Sequence, residues 1–327
     1  MSQSRLTMAV QDNGLDLSHA SRIAVFAPMA GFDLSSLPKS KCQIIQPLKV
    51  DHDAYAAAGY DCAVREEGSY DFALVCLPRA KAQARDLIAR AVACAGTVIV
   101  DGQKTDGVES YLKDCRKRAD LDGSMAKAHG KLFWFSGGSF DDWRAPLRQE
   151  ISDDFVTAAG VFSADAIDPA SLLLAQSLPA KLGRNVADLG AGWGYLSAQV
   201  LKHEEVETLY LIEGDRVALD CAQDNIKDDR AEFHWADVRR WQARARMDTV
   251  VMNPPFHTGR SAEPSLGVDF IKAAAKMMAP SGQLWMVANR HLPYEATLDT
   301  LFAKTEEVAG DNRFKVLWAS RPTRARG

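Results

Sequence analysis

Val186-Ala-Asp-Leu-Gly-Ala-Gly-Trp-Gly-Tyr195 decides the fold of this chain. An apolar run carrying one acid, Asp188, opens into three alternate glycines, Gly190, Gly192 and Gly194, and a helix-favouring stretch resumes over 195–201. The order is strand, tight loop, helix, and glycine lets the backbone turn sharply and approach a ligand because it lacks a Cβ. Glycines in a loop can also serve a turn alone, so the context has to carry the argument. Here the third glycine falls too early for G-x-G-x-x-G, the spacing that delivers a pyrophosphate to a helix N-terminus. The glycine spacing therefore disfavours a nicotinamide dehydrogenase.

Working outward, strand-like and helix-like segments alternate in both directions, the pattern of an α/β chain with a largely parallel sheet. Strands are expected at 22–27, 42–47, 70–78, 96–102 and 131–138, then at 186–192, 208–214, 231–237, 248–255, 282–289 and 314–320. The Ala-rich stretch 80–95 is expected to be helical. Asp71-Phe-Ala-Leu-Val-Cys-Leu-Pro78 runs parallel in character to Asp248-Thr-Val-Val-Met-Asn-Pro254: acid, apolar strand, proline exit. Each is followed by a helix and another apolar strand, at Gly96 and at Gly282. Any two α/β units share some of this grammar, yet the match favours a tandem duplication in which only the second copy kept its chemistry. The division is expected between 145 and 160, giving domains 1–150 and 151–327.

The loop Gly190-Ala-Gly192-Trp-Gly194, preceded by Asp188, resembles motif I of class I S-adenosylmethionine (SAM)-dependent methyltransferases. In that family the acid faces the methionine amino end, and a carboxylate suits a cation where it would repel a pyrophosphate. Glu213 ends the next strand, 25 positions on (213 − 188), and can accept both ribose hydroxyls. Asp215 is its nearby rival. Asp237 ends the following strand and can accept the adenine amino group. Each acid alone would pass for a solvated turn residue; three at successive strand ends beside this loop point to SAM.

Asn253-Pro254-Pro255-Phe256 addresses the chemistry. A bare Pro-Pro would be read as a strand terminator, since proline cannot donate to a ladder. The whole tetrapeptide, following an apolar strand, resembles motif IV of the amino-methyltransferases. An exocyclic amine on a base is a poor nucleophile because its lone pair is delocalised into the ring. Two acceptors, the Asn253 side-chain oxygen and the Pro254 carbonyl, can hold its N–H bonds and favour pyramidal nitrogen aimed at a methyl donor. Phe256 offers a face for an unpaired base, a stack worth about 1–3 kcal/mol. His257 reads as a loop residue rather than a base.

Gly160-Val-Phe-Ser163 followed by Ile167-Asp-Pro169, the run Asn253 to His257, Val287-Ala-Asn-Arg-His-Leu-Pro-Tyr294 and Arg313-Phe-Lys-Val316 resemble the bacterial ribosomal-RNA guanine-N2 methyltransferases, the small-subunit enzymes first. The resemblance is dense over 160–320 and loose before it. It implies two tandem Rossmann-like methyltransferase domains, with mostly parallel seven-stranded sheets flanked by helices and a degenerate N-terminal copy that recognises RNA or supports its neighbour. It also implies that Phe162 and Ser163 cover the cofactor and that 289–294 line the base pocket. Leu77-Pro78 is expected to stand where the second copy has Asn253-Pro254. Competing assignments are a large-subunit rRNA enzyme, an adenine-N6 or protein-glutamine methyltransferase, and a non-catalytic RNA-binding protein on this fold.

Composition sets the outer limits. With 327 residues, 47% hydrophobic and 25% charged, the chain can build two cores. A formal charge of −4 does not mark a nucleic-acid binder, but binding needs only a local patch. Candidate patches are Lys113, Arg116, Lys117, Arg118, Lys127 and Lys131; Arg239, Arg240, Arg244 and Arg246; and Arg321, Arg324 and Arg326, although solvated faces are the commoner explanation of such clusters. The six cysteines show no C-x-x-C and no His at ligand spacing, so no metal is expected. The N-terminus lacks an apolar signal region and the run 91–100 is too short to span a bilayer, which predicts a cytoplasmic protein with no membrane contact. Its expected partner is ribosomal RNA or a ribosomal subunit, and its expected state a monomer.

Overall fold

The computed structural model describes residues 4–12, 14–152, 154–255, 257–258, 261–262 and 264–323, with backbone alone at 257–258 and 261–262. The chain divides into two compact units, Met1–Leu147 and Arg148–Gly327.

The first unit contains β1 (Ile23–Phe26), β2 (Cys42–Ile45), β3 (Asp61–Ala63), β4 (Tyr70–Cys76), β5 (Ala95–Gln103), β6 (Leu121–Lys127) and β7 (Gly130–Ser136). They form one sheet in the order β3-β2-β1-β4-β5-β7-β6. The first five strands are parallel and the last two form an antiparallel hairpin. Helices α1 (Arg5–Asp12), α2 (Lys49–Ala57), α3 (Lys81–Cys94) and α4 (Val108–Cys115) accompany the sheet. The four residues of β1 are all buried, as central parallel strands covered on both faces must be. Two apolar clusters result, one containing Phe26 and Val75, the other Val25 and Leu74.

The second unit opens with a small hairpin, β8 (Gln149–Ser152) and β9 (Phe155–Thr157), and then repeats the plan. Helix α5 (Pro169–Ser177) precedes β10 (Asn185–Leu189), α6 (Tyr195–Val200), β11 (Thr208–Glu213), α7 (Arg216–Asn225), β12 (Ala231–Trp235) and β13 (Met247–Met252). A short ladder of β14 (His257–Thr258) and β15 (Ser261–Ala262) follows. The unit ends with α8 (Pro264–Met277), β16 (Met278–Asn289), α9 (Glu295–Leu301), β17 (Phe302–Gly310) and β18 (Phe314–Pro322). The sheet order, β12-β11-β10-β13-β16-β18-β17, is that of the first unit.

The duplication extends to single hydrogen bonds. The Ala27 N–H donates to Ile45 O at 2.9 Å, as the Gly190 N–H donates to Ile212 O at 2.8 Å. Asp71 Oδ2 accepts the N–H groups of Ser21 and Arg22, as Asp248 Oδ2 accepts those of Arg184 and Asn185. Strand pairing then corrects one expectation. Phe26 lies beside Val75 and Leu189 beside Met252, so Cys76, not Leu77, stands in the place of Asn253. By the same register Val25 and Gln46 replace Asp188 and Glu213. Gln46 is buried; its amide donates to Pro28 O at 2.8 Å and its oxygen accepts the Leu48 N–H at 3.0 Å. A neutral side chain thus closes on the loop that in the second copy carries glycines.

In the two seven-stranded sheets, three strands were not expected from sequence: β3, β6 and β17. The first two end the first sheet and β17 ends the second. Edge strands pair on one side only and need little apolar character: β6 is nowhere fully buried and β17 is buried only at Phe302.

The chain order reverses between β10 and β13, which are neighbours although β11 and β12 intervene in sequence. In open α/β sheets the crevice beyond the carboxyl ends at such a reversal is where ligands bind. Gly190 and Asn253 are the first residues past those two strand ends.

Candidate active site

Asp188 is the fourth residue of β10 and has no exposed surface. Its Oδ2 accepts the Ser197 hydroxyl at 2.7 Å, from α6. Its Oδ1 is buried and has no hydrogen-bond partner among the described residues. Burial, reinforced by the nearby Glu213 charge and opposed by Ser197, pushes its pKa up to about 7. An unmatched buried carboxylate oxygen is costly, and a cationic N–H donor of a ligand would satisfy it.

The glycine loop folds back on β11. The Gly190 and Ala191 N–H groups both donate to Ile212 O, at 2.8 and 3.2 Å. Gly192 sits at φ +56° and a Cβ there would meet nothing within 4 Å, so the loop presents bare backbone to open space. Gly194 caps α6 at φ +93°, with space for a side chain closed by Ile226 at 2.9 Å.

Glu213 ends β11 and braces this loop. Its Oε2 accepts the Gly192 N–H and its Oε1 the Asp215 N–H, both at 2.7 Å. Each oxygen keeps a lone pair for a further donor. Burial raises its pKa against these backbone bonds. Asp215 is occupied differently: it is the N-cap of α7, accepting the Val217 N–H at 2.9 Å. Burial, then the Glu213 charge, lifts it to about 7. Asp237 lies two residues past β12. Its carboxylate holds the Arg239 guanidinium at 2.9 Å through both oxygens, and this outweighs burial to lower its pKa. An adenine amino group would therefore share a carboxylate already paired.

Phe162 is 59% exposed. Its carbonyl accepts the Trp193 indole N–H at 3.1 Å, which fastens this segment to the glycine loop. Ser163 takes φ +52° and spends its hydroxyl on Ala166 O at 2.8 Å, so it shapes a turn. Asn225 is a further brace that the sequence did not announce: its Nδ2 donates to the Trp193 and Val156 carbonyls, and its Oδ1 accepts the Val156 N–H.

A cavity of about 180 Å³ opens beside Phe162, lined among others by Asp168, Asn253, Pro254, Asn289 and Tyr294. Asn253 leaves β13 into it. Its Nδ2 donates to Asp168 Oδ2 and to Ser171 Oγ, each at 2.9 Å. Asp168 is the N-cap of α5, with Pro169 at the first helical position. Asp followed by Pro is a signal from which this helix start could have been read; nothing in it foretells that the cap would meet Asn253. Tyr294 is 1% exposed, with no partner found for its hydroxyl among the described residues, and it packs where a Cβ on Gly267 would fall 2.1 Å away. Pro255 is exposed. Phe256 lies outside the described residues, as do Arg324 and Arg326.

Asp188 and the glycines at the end of β10 thus meet Glu213 at the end of β11 on one side, with Asn253 and Pro254 past the end of β13 on the other. A bare carboxylate oxygen, an uncovered backbone loop and a second carboxylate with spare lone pairs fit the amino end, body and ribose of SAM.

The family model described as "Methyltransferase small domain" matches residues 153–318. A relative from Shewanella halifaxensis, named ribosomal RNA small subunit methyltransferase C, is 28% identical over 281 residues, covering 80% of this chain and 82% of its own length. A relative of the same name from Hahella chejuensis is 29% identical over 277 residues, covering 80% of both chains. The structure of the T. thermophilus 16S rRNA N2 G1207 methyltransferase in complex with AdoMet and guanosine superposes with a TM-score of 0.78 at 24% identity. It covers 92% of this chain and 88% of that one, so the two share a fold. With half of its length matched by that family model, spanning both the glycine loop and Asn253, the chain belongs to the methyltransferase small-domain family.

Proposed function

We propose that this protein is a SAM-dependent methyltransferase acting on the exocyclic N2 of a guanine in small-subunit ribosomal RNA. The observation that carries this reading is the Asn253 carboxamide beside the glycine loop: its nitrogen is engaged by Asp168 and Ser171, leaving its oxygen as an acceptor at the cavity. Asp188 would take the cofactor's amino end, Gly190, Gly192 and Gly194 its body, Glu213 the ribose and Asp237 the adenine edge, with Phe162 and Ser163 over it. When bound, SAM supplies an electrophilic methyl group. Asn253 Oδ1 and the Pro254 carbonyl accept the two N–H bonds of the amine, and Pro255 stiffens the turn that aims them. Phe256 is assigned the stacking face. No strong base is required, because the amine nitrogen becomes acidic once methylated.

The names of the relatives and the guanosine in the fold neighbour favour guanine in 16S RNA as acceptor. A groove of about 760 Å³ along α8 supports an RNA partner: Arg239, Arg246, Lys272 and Lys276 line it against one acid, Asp269. No helix among the described residues is long and apolar enough to cross a membrane. We assign the enzyme to the cytoplasm as a monomer without a metal, and the first unit to RNA recognition or support.

The test is incubation with methyl-labelled SAM and separate pools of small subunits, large subunits, naked rRNA and protein, the ribosomes coming from cells lacking the gene, followed by nucleoside mass spectrometry. Label in N2-methylguanosine from small-subunit RNA is expected. Label confined to large-subunit RNA moves the target, and label in N6-methyladenine or protein glutamine overturns the acceptor.

A further inference from the structure

The Asn253 carboxamide is held from behind by residues of another element. Its two amide hydrogens meet two acceptors, Asp168 Oδ2 and Ser171 Oγ, each 2.9 Å from Nδ2. Ser171 is 7% exposed, and its backbone N–H donates to the same Asp168 oxygen at 2.8 Å. The N-cap of α5 and the clamp on Asn253 are thus one carboxylate doing two things. An ionised carboxylate only accepts hydrogen bonds. Turning the carboxamide over would aim its oxygen at that carboxylate and lose the Asp168 bond, whereas the Ser171 hydroxyl can donate as well as accept, so it is the carboxylate that sets the orientation.

We propose that Asp168 and Ser171 are positioning residues that fix the donor–acceptor polarity of the base pocket. With Nδ2 engaged, Asn253 presents an oxygen to the cavity, and an oxygen selects an N–H donor. On a guanine that favours the 2-amino group, a donor, over the O6 carbonyl, an acceptor. A freely turning carboxamide would offer NH₂ as readily and would hold the wrong group. The inference rests on the reading of Asn253 as the acceptor of the substrate amine and deepens it.

The test measures kcat, KM and SAM affinity on small subunits for a set of variants. Asp168→Ser keeps an oxygen at the N-cap of α5 but, one bond shorter, withdraws from Asn253. A drop in kcat of about 10²-fold with SAM affinity unchanged is expected, the cost of a displaced reacting geometry. Asp168→Asn retains an amide oxygen in the same place and should stay within a few-fold of the parent. Asn253→Asp sets two carboxylates at hydrogen-bonding distance, which cannot both ionise. Its activity should be low at pH 8 and rise as the pH falls, because the pair works only while it holds one proton. In the double variant Asp168→Asn with Asn253→Asp, the amide at 168 donates across the gap, and the acid-shifted profile should revert toward that of the parent.

That reversion is a readout a purely structural cap would not give, and it decides the matter if Asp168→Ser fails to fold. Unchanged kcat in both Asp168→Ser and Ser171→Ala overturns the proposal. So does a pH profile of Asn253→Asp that the second substitution leaves unmoved. Full transfer by Asn253→Ala is a separate result: it removes Asn253 from the chemistry and with it the premise.

Discussion

Asn253 Nδ2 and Asp168 Oδ2 stand 2.9 Å apart although 85 residues of chain separate them. One belongs to a strand exit and the other to a helix start, and their meeting gives a symmetric-looking amide a fixed sense. Among the described residues none donates to the carboxamide oxygen, and the chemistry assigned to the site depends on that.

Replacement of Asn253 by Ala removes the acceptor without touching the glycine loop. Methyl transfer should fall by about 10²–10³-fold, the loss typical of deleting one preorganised polar group at a reacting centre. SAM affinity, measured by calorimetry, should stay within a few-fold. Loss of SAM binding in this variant would mean that Asn253 belongs to the cofactor site instead.

If Asp188 takes the cofactor's amino end, as proposed, cofactor binding should depend on pH. Its carboxyl is raised from 3.8 to about 7 in the fold. Stability tied to this group is therefore complete below the unfolded value and is lost as the pH rises through about 7. A cofactor cation beside Oδ1 would favour the ionised form, so SAM binding should release this proton. SAM affinity should fall as the pH drops from 7.5 to 5.5, by up to about tenfold per unit. Asp188→Asn should bind SAM weakly and flatten that dependence, leaving the part due to Asp215 and Glu213. A parent titration that is level across this window contradicts the assignment.

The groove along α8 should act through charge. If Lys272 and Lys276 neutralise RNA phosphates, replacing both by Ala lowers the slope of log K against log salt by up to about 2. SAM affinity should not change, since neither residue is near the glycine loop in sequence or lines its cavity. An unchanged slope would place the RNA on another face.

Stability of the first unit should hinge on Arg5. Its guanidinium grips Asp101 through both oxygens, at 2.6 and 2.9 Å, and both side chains are at most 10% exposed. Breaking such a pair on one side leaves a buried unpaired charge, so Arg5→Ala should cost about 3–5 kcal/mol in denaturant unfolding. Removing both partners, with Asp101→Leu added to Arg5→Met, should recover much of that loss.

The sequence by itself determined what is local. Apolar runs long enough to be buried on both faces marked the central strands, alternate glycines after an acid marked the loop, and Asn253-Pro-Pro marked the strand exit. Likeness between Asp71 to Pro78 and Asp248 to Pro254 was enough to suggest two copies, but not to align them: only strand pairing placed Cys76 opposite Asn253. Edge strands β3, β6 and β17 escaped notice because a strand paired on one side can be short, polar or largely exposed. Tertiary structure alone brought Asp168 and Ser171 onto Asn253, turned Asp215 into a helix cap, paired Asp237 with Arg239 and left Asp188 Oδ1 bare. Periodicity reports which face of an element is buried. It does not report which polar atom on a distant element will satisfy another, because that depends on how strands and helices pack after each has formed.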